Sequence, residues 1–321
     1  MEKTILVTGG AGYIGSAAVK ELIEKKFNVL VADNLSKGDL GIVDKKAKFF
    51  KVDLTDKEEL EKIFKNYKID SVMHFAAYKA VGESMENPEK YFDNIQGTIN
   101  LLELMANYEV KKIIYSSSAA VYGLPNYTPV DENHPTKPTN YYGFTKKVCE
   151  ELIEWYSKIY NLSYICLRYF NVAGDALNYI DPGAENVFPI LMEAIFGKRE
   201  KFCIFGKDYD TRDGTCIRDY IDVKDLVKAH ISALNVDKNE IINLGTSIGV
   251  SVKELVSLVK EVTGADFKVE IAGKRKGDVS ELIASNEKAK KLLNWSPETN
   301  VKEMISSTYK AYKRKFNVGC S

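Results

Sequence analysis

A phenol and an ammonium stand four residues apart in Tyr142-Gly143-Phe144-Thr145-Lys146, at the start of a segment with helical spacing. About one helical turn separates such residues, so both side chains share a face. A free tyrosine, with a pKa near about 10, is a poor base at neutral pH, but a neighbouring cation favours the phenolate and lowers that value. The pair is read as proton-transfer machinery, although Tyr-x-x-x-Lys alone also occurs on ordinary helix surfaces. Tyr141 competes for the role but has no lysine four residues on. Upstream, Tyr115-Ser116-Ser117-Ser118-Ala119-Ala120-Val121-Tyr122-Gly123 places three serines past an apolar run. A serine hydroxyl there can donate to an oxygen that alternates between alcohol and ketone. The plain alternative is a polar turn.

Near the N-terminus, Thr4–Thr8 runs directly into Gly9-Gly10-Ala11-Gly12-Tyr13-Ile14-Gly15 and then a helical pattern. Gly10, Gly12 and Gly15 satisfy GxGxxG; Gly9, Gly12 and Gly15 satisfy GxxGxxG. Such glycines permit a tight turn and let the backbone approach a pyrophosphate, which the helix N-terminus then binds. The loop predicts dinucleotide binding. Asp33, after the second apolar run, can accept hydrogen bonds from a ribose and repels a 2′-phosphate, favouring NAD over NADP. Asp53 either sits near the adenine or is a capping neighbour of Thr55. An oxidised nicotinamide, being positively charged, would lower the Tyr142 pKa further.

These residues need a scaffold. Runs at Thr4–Thr8, Asn28–Ala32, Lys48–Val52, Ser71–Phe75, Lys112–Ser116 and Tyr164–Arg168 predict strands, several of them apolar throughout, as strands covered on both faces are. Between them, Val19, Leu22 and Ile23 share a helical face, as do Leu60, Ile63, Phe64 and Tyr67 behind an expected capping box at Thr55 and Glu58. The alternation predicts an α/β chain with a doubly wound parallel sheet of Rossmann type. In such a sheet, ligands lie beyond the carboxyl ends of the strands, where the glycines, Asp33 and the serines all fall. After about Asn171 the texture becomes Gly- and Asp-rich. Helical spacing returns around Phe188–Phe196 and Val223–Leu234, strand character at Ile241–Leu244, and capping boxes at Ser251…Glu254 and Asn300…Glu303. The expected partition is an NAD-binding domain, 1–172 with about 219–245, and a smaller mixed α/β C-terminal substrate lobe, 173–218 with 246–321.

Composition narrows the function classes. The 321 residues carry 45 Lys+Arg against 45 Asp+Glu, so there is no bulk attraction to nucleic acid or an anionic membrane. No apolar run approaches the ~20 residues of a membrane span, and the short burst before Gly9 is unlike a signal peptide. Five cysteines without a CxxC pair, and three histidines (His74, His134, His230), predict neither a disulfide framework nor a metal site, and a cytoplasmic, reduced setting is expected.

Taken in order, these motifs resemble the extended short-chain dehydrogenase/reductase family, and within it the UDP-galactose (UDP-glucose) 4-epimerases. The resemblance spans nearly the whole chain. It adds Lys79-Ala80-Val81-Gly82-Glu83-Ser84, Arg168-Tyr169-Phe170-Asn171, Asp213-Gly214-Thr215, Arg218-Asp219-Tyr220 and Arg275-Lys276-Gly277-Asp278 to the elements above. It implies Tyr142 as catalytic base, Lys146 as its electrostatic partner and a ribose ligand, and Ser118 as the contact to the sugar 4-oxygen. It implies cofactor contacts from Gly9, Gly12, Tyr13, Ile14, Gly15, Asp33, Asn34, Asp53, Leu54, Phe75, Ala76, Lys79, Asn94 and Tyr169. It implies UDP-sugar contacts from Asn171, Asn186, Arg218, Tyr220, Arg275 and Asp278. The arginines suit a diphosphate because guanidinium matches phosphate oxygens in a fork. Leu282, four residues after Asp278, is the implied sugar-pocket position that sets tolerance of an N-acetyl group, unless it merely packs in the C-terminal lobe. The chain departs from the pattern with Tyr141, where many epimerases have proline, and with a shorter segment before Asn186.

The implied reaction is transient oxidation of the sugar C4 against NAD, followed by reduction from the other face. A 4,6-dehydratase or a decarboxylase of the same superfamily starts identically, but dehydratases commonly carry an Asp-Glu pair just after the serine. Ala119-Ala120 stand there, and neither can transfer a proton. A non-catalytic NAD sensor on this fold would be expected to lose Tyr142 or Lys146. The resemblance also implies a homodimer through helices near Glu89–Tyr108 and Tyr142–Tyr160, the second with Val148, Leu152, Trp155, Tyr156 and Ile159 on an apolar face that could equally be intramolecular core.

Overall fold

The computed structural model describes residues 2–180, 186–275 and 277–317. Lys276 of the expected Arg275–Asp278 motif, the segment 181–185 before Asn186, and Cys320 lie outside the described residues. The first half runs β1 (Thr4–Thr8), α1 (Tyr13–Glu24), β2 (Asn28–Asp33), β3 (Lys48–Lys51), α2 (Lys57–Asn66), β4 (Ser71–His74), α3 (Val81–Glu86), α4 (Pro88–Asn107), β5 (Lys112–Ser118), α5 (Tyr141–Tyr160) and β6 (Ser163–Tyr169). The second half adds β7 (Asn171–Ala173), α6 (Val187–Ile195), β8 (Phe202–Phe205), β9 (Ile217–Asp222), α7 (Val223–Ala233) and β10 (Glu240–Leu244). It ends with β11 (Gly249–Ser251), α8 (Val252–Thr263), β12 (Val269–Ala272), β13 (Glu281–Leu282), α9 (Glu287–Leu293) and α10 (Val301–Asn317).

Seven strands make one sheet in the order β3-β2-β1-β4-β5-β6-β10, with every pair parallel. The chain winds outward from β1 in one direction and from β4 in the other, so the switch point lies between them, where a doubly wound sheet opens a crevice. Ile5 and Val7 enter one buried cluster with α1 and α7, whereas Leu6 enters the other with α2, α4 and α5. Burial on both faces is why these strands read as continuous apolar runs. The smaller lobe has its own core, with Phe188, Leu191, Tyr220, Leu255 and Ile305. Its strands β11, β9 and β13 form a mixed sheet with β7 beside β9, while β12 pairs β8. Among the described residues no helix is long and apolar enough to cross a membrane.

Several boundaries differ from the sequence reading, for local reasons. Parallel pairing carries β5 on to Ser118, opposite Tyr169 of β6, and carries β2 on to Asp33, opposite Lys51. The serines and Asp33 are therefore the last rungs of strands. Helix α2 is capped by Asp56 accepting from the Glu59 amide, not by Thr55. Thr55 is unavailable because its amide and hydroxyl are both held by Asp53, at 2.9 and 2.7 Å. The boxes at Ser251…Glu254 and Asn300…Glu303 form as expected. The domain boundary placed near 219 falls inside β9, whose partners all belong to the small sheet, so the chain rejoins the large sheet only with α7 and β10.

One charged pair lies inside the core. Glu150 of α5 receives Arg168 of β6 through Nε at 2.9 Å and Nη2 at 2.6 Å, with side-chain exposures of 4% and 5%. The Ser117 hydroxyl adds a third bond to Glu150 at 2.5 Å, and Arg168 Nη1 donates to the Tyr122 hydroxyl at 3.0 Å. Such a pair gains little over an apolar one, but breaking it strands a buried charge. Glu150→Leu is expected to lower unfolding free energy by about 3–5 kcal/mol, and adding Arg168→Met to recover most of that. Urea titration checks this; a single-variant loss below about 1 kcal/mol would mean that water reaches the pair.

Candidate active site

The glycine loop is shaped by close approaches. Gly9 has φ of 71°, and a Cβ there would sit 2.6 Å from the Ala76 amide nitrogen. A Cβ on Gly15 would lie 2.1 Å from the Gly9 oxygen. No side chain caps α1, whose N-cap is Gly12, so the helix end presents backbone to whatever lies above it. Asp33, buried at the end of β2, accepts from the Ala11 amide at 3.0 Å and the Leu35 amide at 2.8 Å, one bond to each oxygen. Each oxygen keeps a lone pair for a ribose hydroxyl. This uncapped helix end, glycine-rich turn and half-used carboxylate fit a dinucleotide.

The remaining expected cofactor residues border that loop. Asn34 donates to Asp53 at 2.7 Å. Burial raises the Asp53 pKa, but the bonds from Thr55 and Asn34 outweigh it and leave it lowered. Leu54 is buried. Lys79 Nζ lies 6.0 Å from the Tyr13 ring, and the Tyr13 hydroxyl donates to the Gly174 carbonyl at 2.6 Å. Asn94 is turned inward, with its amide on both backbone groups of Tyr78, at 2.8 and 3.0 Å, and on Thr145. It brackets the stretch after β4 that carries Phe75, Ala76 and Lys79. Of the histidines, His74 bridges Thr8 and Thr98 while burial and then Lys146 press its pKa to about 3. His134 ties Asn126 to Pro135.

At the end of β5, three successive serines each hold a different part. The Ser116 carbonyl accepts Lys146 Nζ at 2.7 Å, and its hydroxyl favours the ionised Tyr169 phenol, against the larger effect of burial. Ser117 faces Glu150. Ser118 accepts the Ala120 amide at 3.1 Å, and its hydroxyl favours the ionised form of the Tyr142 phenol. Helix α5 delivers Tyr142 because Asn140 caps it on the Gly143 amide at 2.8 Å, and Ser84 accepts the Tyr142 amide at 3.1 Å. Gly143 lets the helix press on Ala120, whose oxygen a Cβ would meet at 2.5 Å. Burial pulls Lys146 down to about 8, with Cys149 and Glu150 acting the other way. Burial raises the Tyr142 phenol, and only the Ser118 hydroxyl lowers it. The expected lowering by Lys146 is thus not built into the protein alone. Its Nζ lies 5.9 Å from the Tyr142 ring centroid and is bonded to a carbonyl.

The expected substrate residues gather on β9 and the segment before β13. Arg218 and Tyr220 alternate with Asp219 along β9, so the first two share a face. Arg218 donates to the Val279 and Ile217 carbonyls at 2.7 and 2.9 Å. Tyr220 is buried edge-on against Phe188 at 5.3 Å. Asn171 pairs with Tyr220 in register and donates to the Asp219 carbonyl at 3.0 Å. Arg275 lies over Phe205 at 4.4 Å and bonds Asp278 at 3.0 Å. Asn186 starts α6 and is exposed. Leu282 pairs with Arg218 in register and packs with Ala119, Val121, Tyr122 and Phe170, which join it to the turn after Ser118. Sequence reasoning missed Asp219, fully buried, which accepts from the amides of Thr246, Ser247 and Ala284 and so holds the strand carrying Leu282. It also missed Glu150, although its place four residues after Lys146 on one face was a usable signal.

Known proteins share the sequence and the fold. The family model described as GDP-mannose 4,6 dehydratase matches residues 6–308. A UDP-glucose 4-epimerase of Halalkalibacterium halodurans is 44% identical, covering 96% of this chain and 95% of its own. A crystal structure of UDP-glucose 4-epimerase superposes with a TM-score of 0.94 at 43% identity, over 98% of both chains. The Bifidobacterium longum UDP-glucose 4-epimerase, in complex with NAD+ and UDP, gives 0.92 at 36% identity, again over 98% of each. The matching model covers far more than half of the chain, and identity above 40% extends nearly end to end; the chain belongs to the extended short-chain dehydrogenase/reductase family and, within it, groups with the UDP-glucose 4-epimerases.

Proposed function

We propose that this protein interconverts UDP-galactose and UDP-glucose by NAD-dependent 4-epimerisation, as a homodimer in the cytoplasm. The observation that carries the reading is the Ser118–Tyr142–Lys146 cluster at the sheet's carboxyl edge, followed by two alanines. NAD, when bound along the glycine loop and Asp33, supplies a reversible two-electron acceptor at the sugar C4. Tyr142 takes the 4-hydroxyl proton, and Ser118 donates to the same oxygen as it becomes a carbonyl. Lys146 keeps positive charge near the phenol and the ribose. The 4-keto sugar then turns over, and Tyr142 returns the proton with the opposite face presented. Arg218 and Arg275 hold the diphosphate meanwhile, with Asn171, Asn186, Tyr220 and Asp278 around the nucleotide. A dehydratase would need an acid and a base beyond this set, and the turn after Ser118 offers only Ala119 and Ala120.

Incubation with UDP-galactose should yield UDP-glucose and no 4-keto-6-deoxy sugar. Tyr142→Phe should lower kcat at least about 100-fold while bound NAD is retained. A 4-keto-6-deoxy product, or a fully active Tyr142→Phe enzyme, would sink the reading.

Substrate breadth follows from Leu282. Leucine is shorter than tyrosine and lacks its hydroxyl, so it takes up less room than tyrosine would, and its apolar surroundings suit an N-acetyl methyl. UDP-N-acetylglucosamine should turn over more slowly than UDP-galactose, and Leu282→Tyr should abolish that activity while largely sparing the hexose reaction. Wild-type protein inert towards the N-acetyl sugar would refute this.

For the dimer, α4 and α5 pack against each other and leave Phe92, Trp155 and Ile159 48%, 60% and 63% exposed, while Val148, Leu152 and Tyr156 turn to the core. Apolar side chains exposed together on paired helices call for a partner. Light scattering should give a dimer at micromolar protein and a monomer for Trp155→Glu with Ile159→Glu; a monomeric wild type would end this reading.

A further inference from the structure

A cleft of about 430 Å³ lies where the loop after β7, the start of α7 and helix α10 meet, and no residue lining it belongs to the proton-transfer, cofactor or UDP-sugar groups above. Its size falls in the range of about 300–1,000 Å³ typical of small-ligand sites. Three cations reach it: Lys224 from α7, and Lys310 and Arg314 from α10. Among the described residues none of the three forms an ion pair, whereas Lys228 and Lys302 on the same two helices pair with Glu298 and Glu261. Their placement works against the helices that carry them. Ser306, Lys310 and Arg314 follow at four-residue intervals, so the two cations share a face of α10 and repel each other. Lys224 lies in the first turn of α7, the end at which a helix disfavours positive charge.

The two carboxylates at the cleft are engaged elsewhere. Asp175 accepts the Asn178 amide at 2.7 Å on one oxygen and the Tyr179 amide at 2.9 Å on the other. Glu303 accepts the Asn300 amide at 2.9 Å as part of the α10 cap. Ser307 is likewise spent, on the Asp175 amide and the Met304 carbonyl, while the Ser306 hydroxyl beside the cations has no partner among the described residues. Cations gathered in a concave site, with a free hydroxyl among them, favour an anion that carries several charges. Lys310 and Arg314 are about 6 Å apart along the helix axis and Lys224 comes from a second helix, so the charge is spread along the cleft. A chain of phosphates matches that spread better than a single one. Three cations on a chain of zero net charge are too few for nucleic acid. We propose that this cleft binds a short polyphosphate, free or carried on a small molecule, with Lys224, Lys310 and Arg314 on its oxygens and Ser306 donating to it. The inference does not rest on the epimerase reading.

Calorimetric titration of tripolyphosphate into the NAD-loaded protein tests this, with UDP in excess to occupy the diphosphate position at Arg218 and Arg275. The parent should bind one equivalent, more weakly as salt is raised. Lys310→Glu with Arg314→Glu should weaken binding at least about tenfold. Lys313→Glu with Lys315→Glu changes the charge of the same helix equally at exposed positions that do not line the cleft, and should stay within about threefold of the parent. Lys224→Glu, on a different helix, should weaken binding as the first pair does, so the result does not hang on the folding of α10. ATP in place of tripolyphosphate separates the two sources: equal affinity means that the chain alone is read, and affinity at least about tenfold tighter means that the rest of the molecule is read too. The proposal is overturned if the parent takes up no tripolyphosphate below about 5 mM, if it does so only when UDP is left out, or if the two α10 double variants weaken alike. Turnover of UDP-galactose by the parent tests the epimerase reading separately, since either result can fail without the other.

Discussion

The site depends on the parallel pairing of β5 with β6 continuing to the rung that sets Ser118 opposite Tyr169. Had pairing stopped at Ser116, the next two serines would lie in a loop free to rotate. Because it continues, alternation of the pleat assigns each serine its direction. Ser117 faces α5 and meets Glu150, while Ser116 and Ser118 face the opposite way at the rim and serve Tyr169 and Tyr142. The Ser116 carbonyl takes the Lys146 ammonium. A strand four or five residues long supplies a wall; two further rungs bring this one's serines to the Tyr142–Lys146 pair.

The second constraint is charge. Helix α5 brings three ionisable groups to that rim at four-residue intervals: Tyr142, Lys146 and Glu150. Glu150 next to Lys146 would ordinarily neutralise it, which would cost the phenol its cation. Arg168 prevents this by engaging both Glu150 oxygens. Lys146 is left bonded to a neutral carbonyl, with burial holding its pKa at about 8, close to the point where the ammonium can respond to what sits beside it. The buried ion pair is thus better understood as insulation around Lys146 than as a source of stability.

How much of this the amino-acid sequence made legible follows from how local each signal is. The glycine loop, Asp33, Tyr142 with Lys146, and the serine run are encoded within a few residues, and the structure puts them on one edge of the sheet. Strand ends were misjudged by one or two residues at Asp33 and Ser118, because polar residues stop an apolar run before they stop a ladder. The Thr55 cap failed because Asp53 competes for the same threonine. The small lobe was least legible: β7, β11 and β13 have three, three and two residues, too few to show a period of two. The pairs Glu150–Arg168 and Tyr169–His230 join positions 18 and 61 apart, and nothing local to either partner announces the other.

The same structure explains how one reaction can need both firm and loose binding. A sugar that must present two opposite faces to one base cannot be gripped by directional bonds on every side, since each would have to break midway. On the proposed function the two arginines would take the firm part: Arg218 is held by two backbone carbonyls, and Arg275 lies over Phe205 and bonds Asp278, both on the lobe side. The wall toward the serine turn is built differently, from Ala119, Val121, Tyr122, Phe170 and Leu282. Apolar contact is non-directional and roughly proportional to area, so a ring sliding over such a wall loses little at any angle. Tyr122 could have interrupted it with a hydroxyl, but that group donates to Asn243 at 2.7 Å and accepts from Arg168, so it faces away. The network that insulates Lys146 therefore also turns the Tyr122 hydroxyl away and keeps this wall apolar.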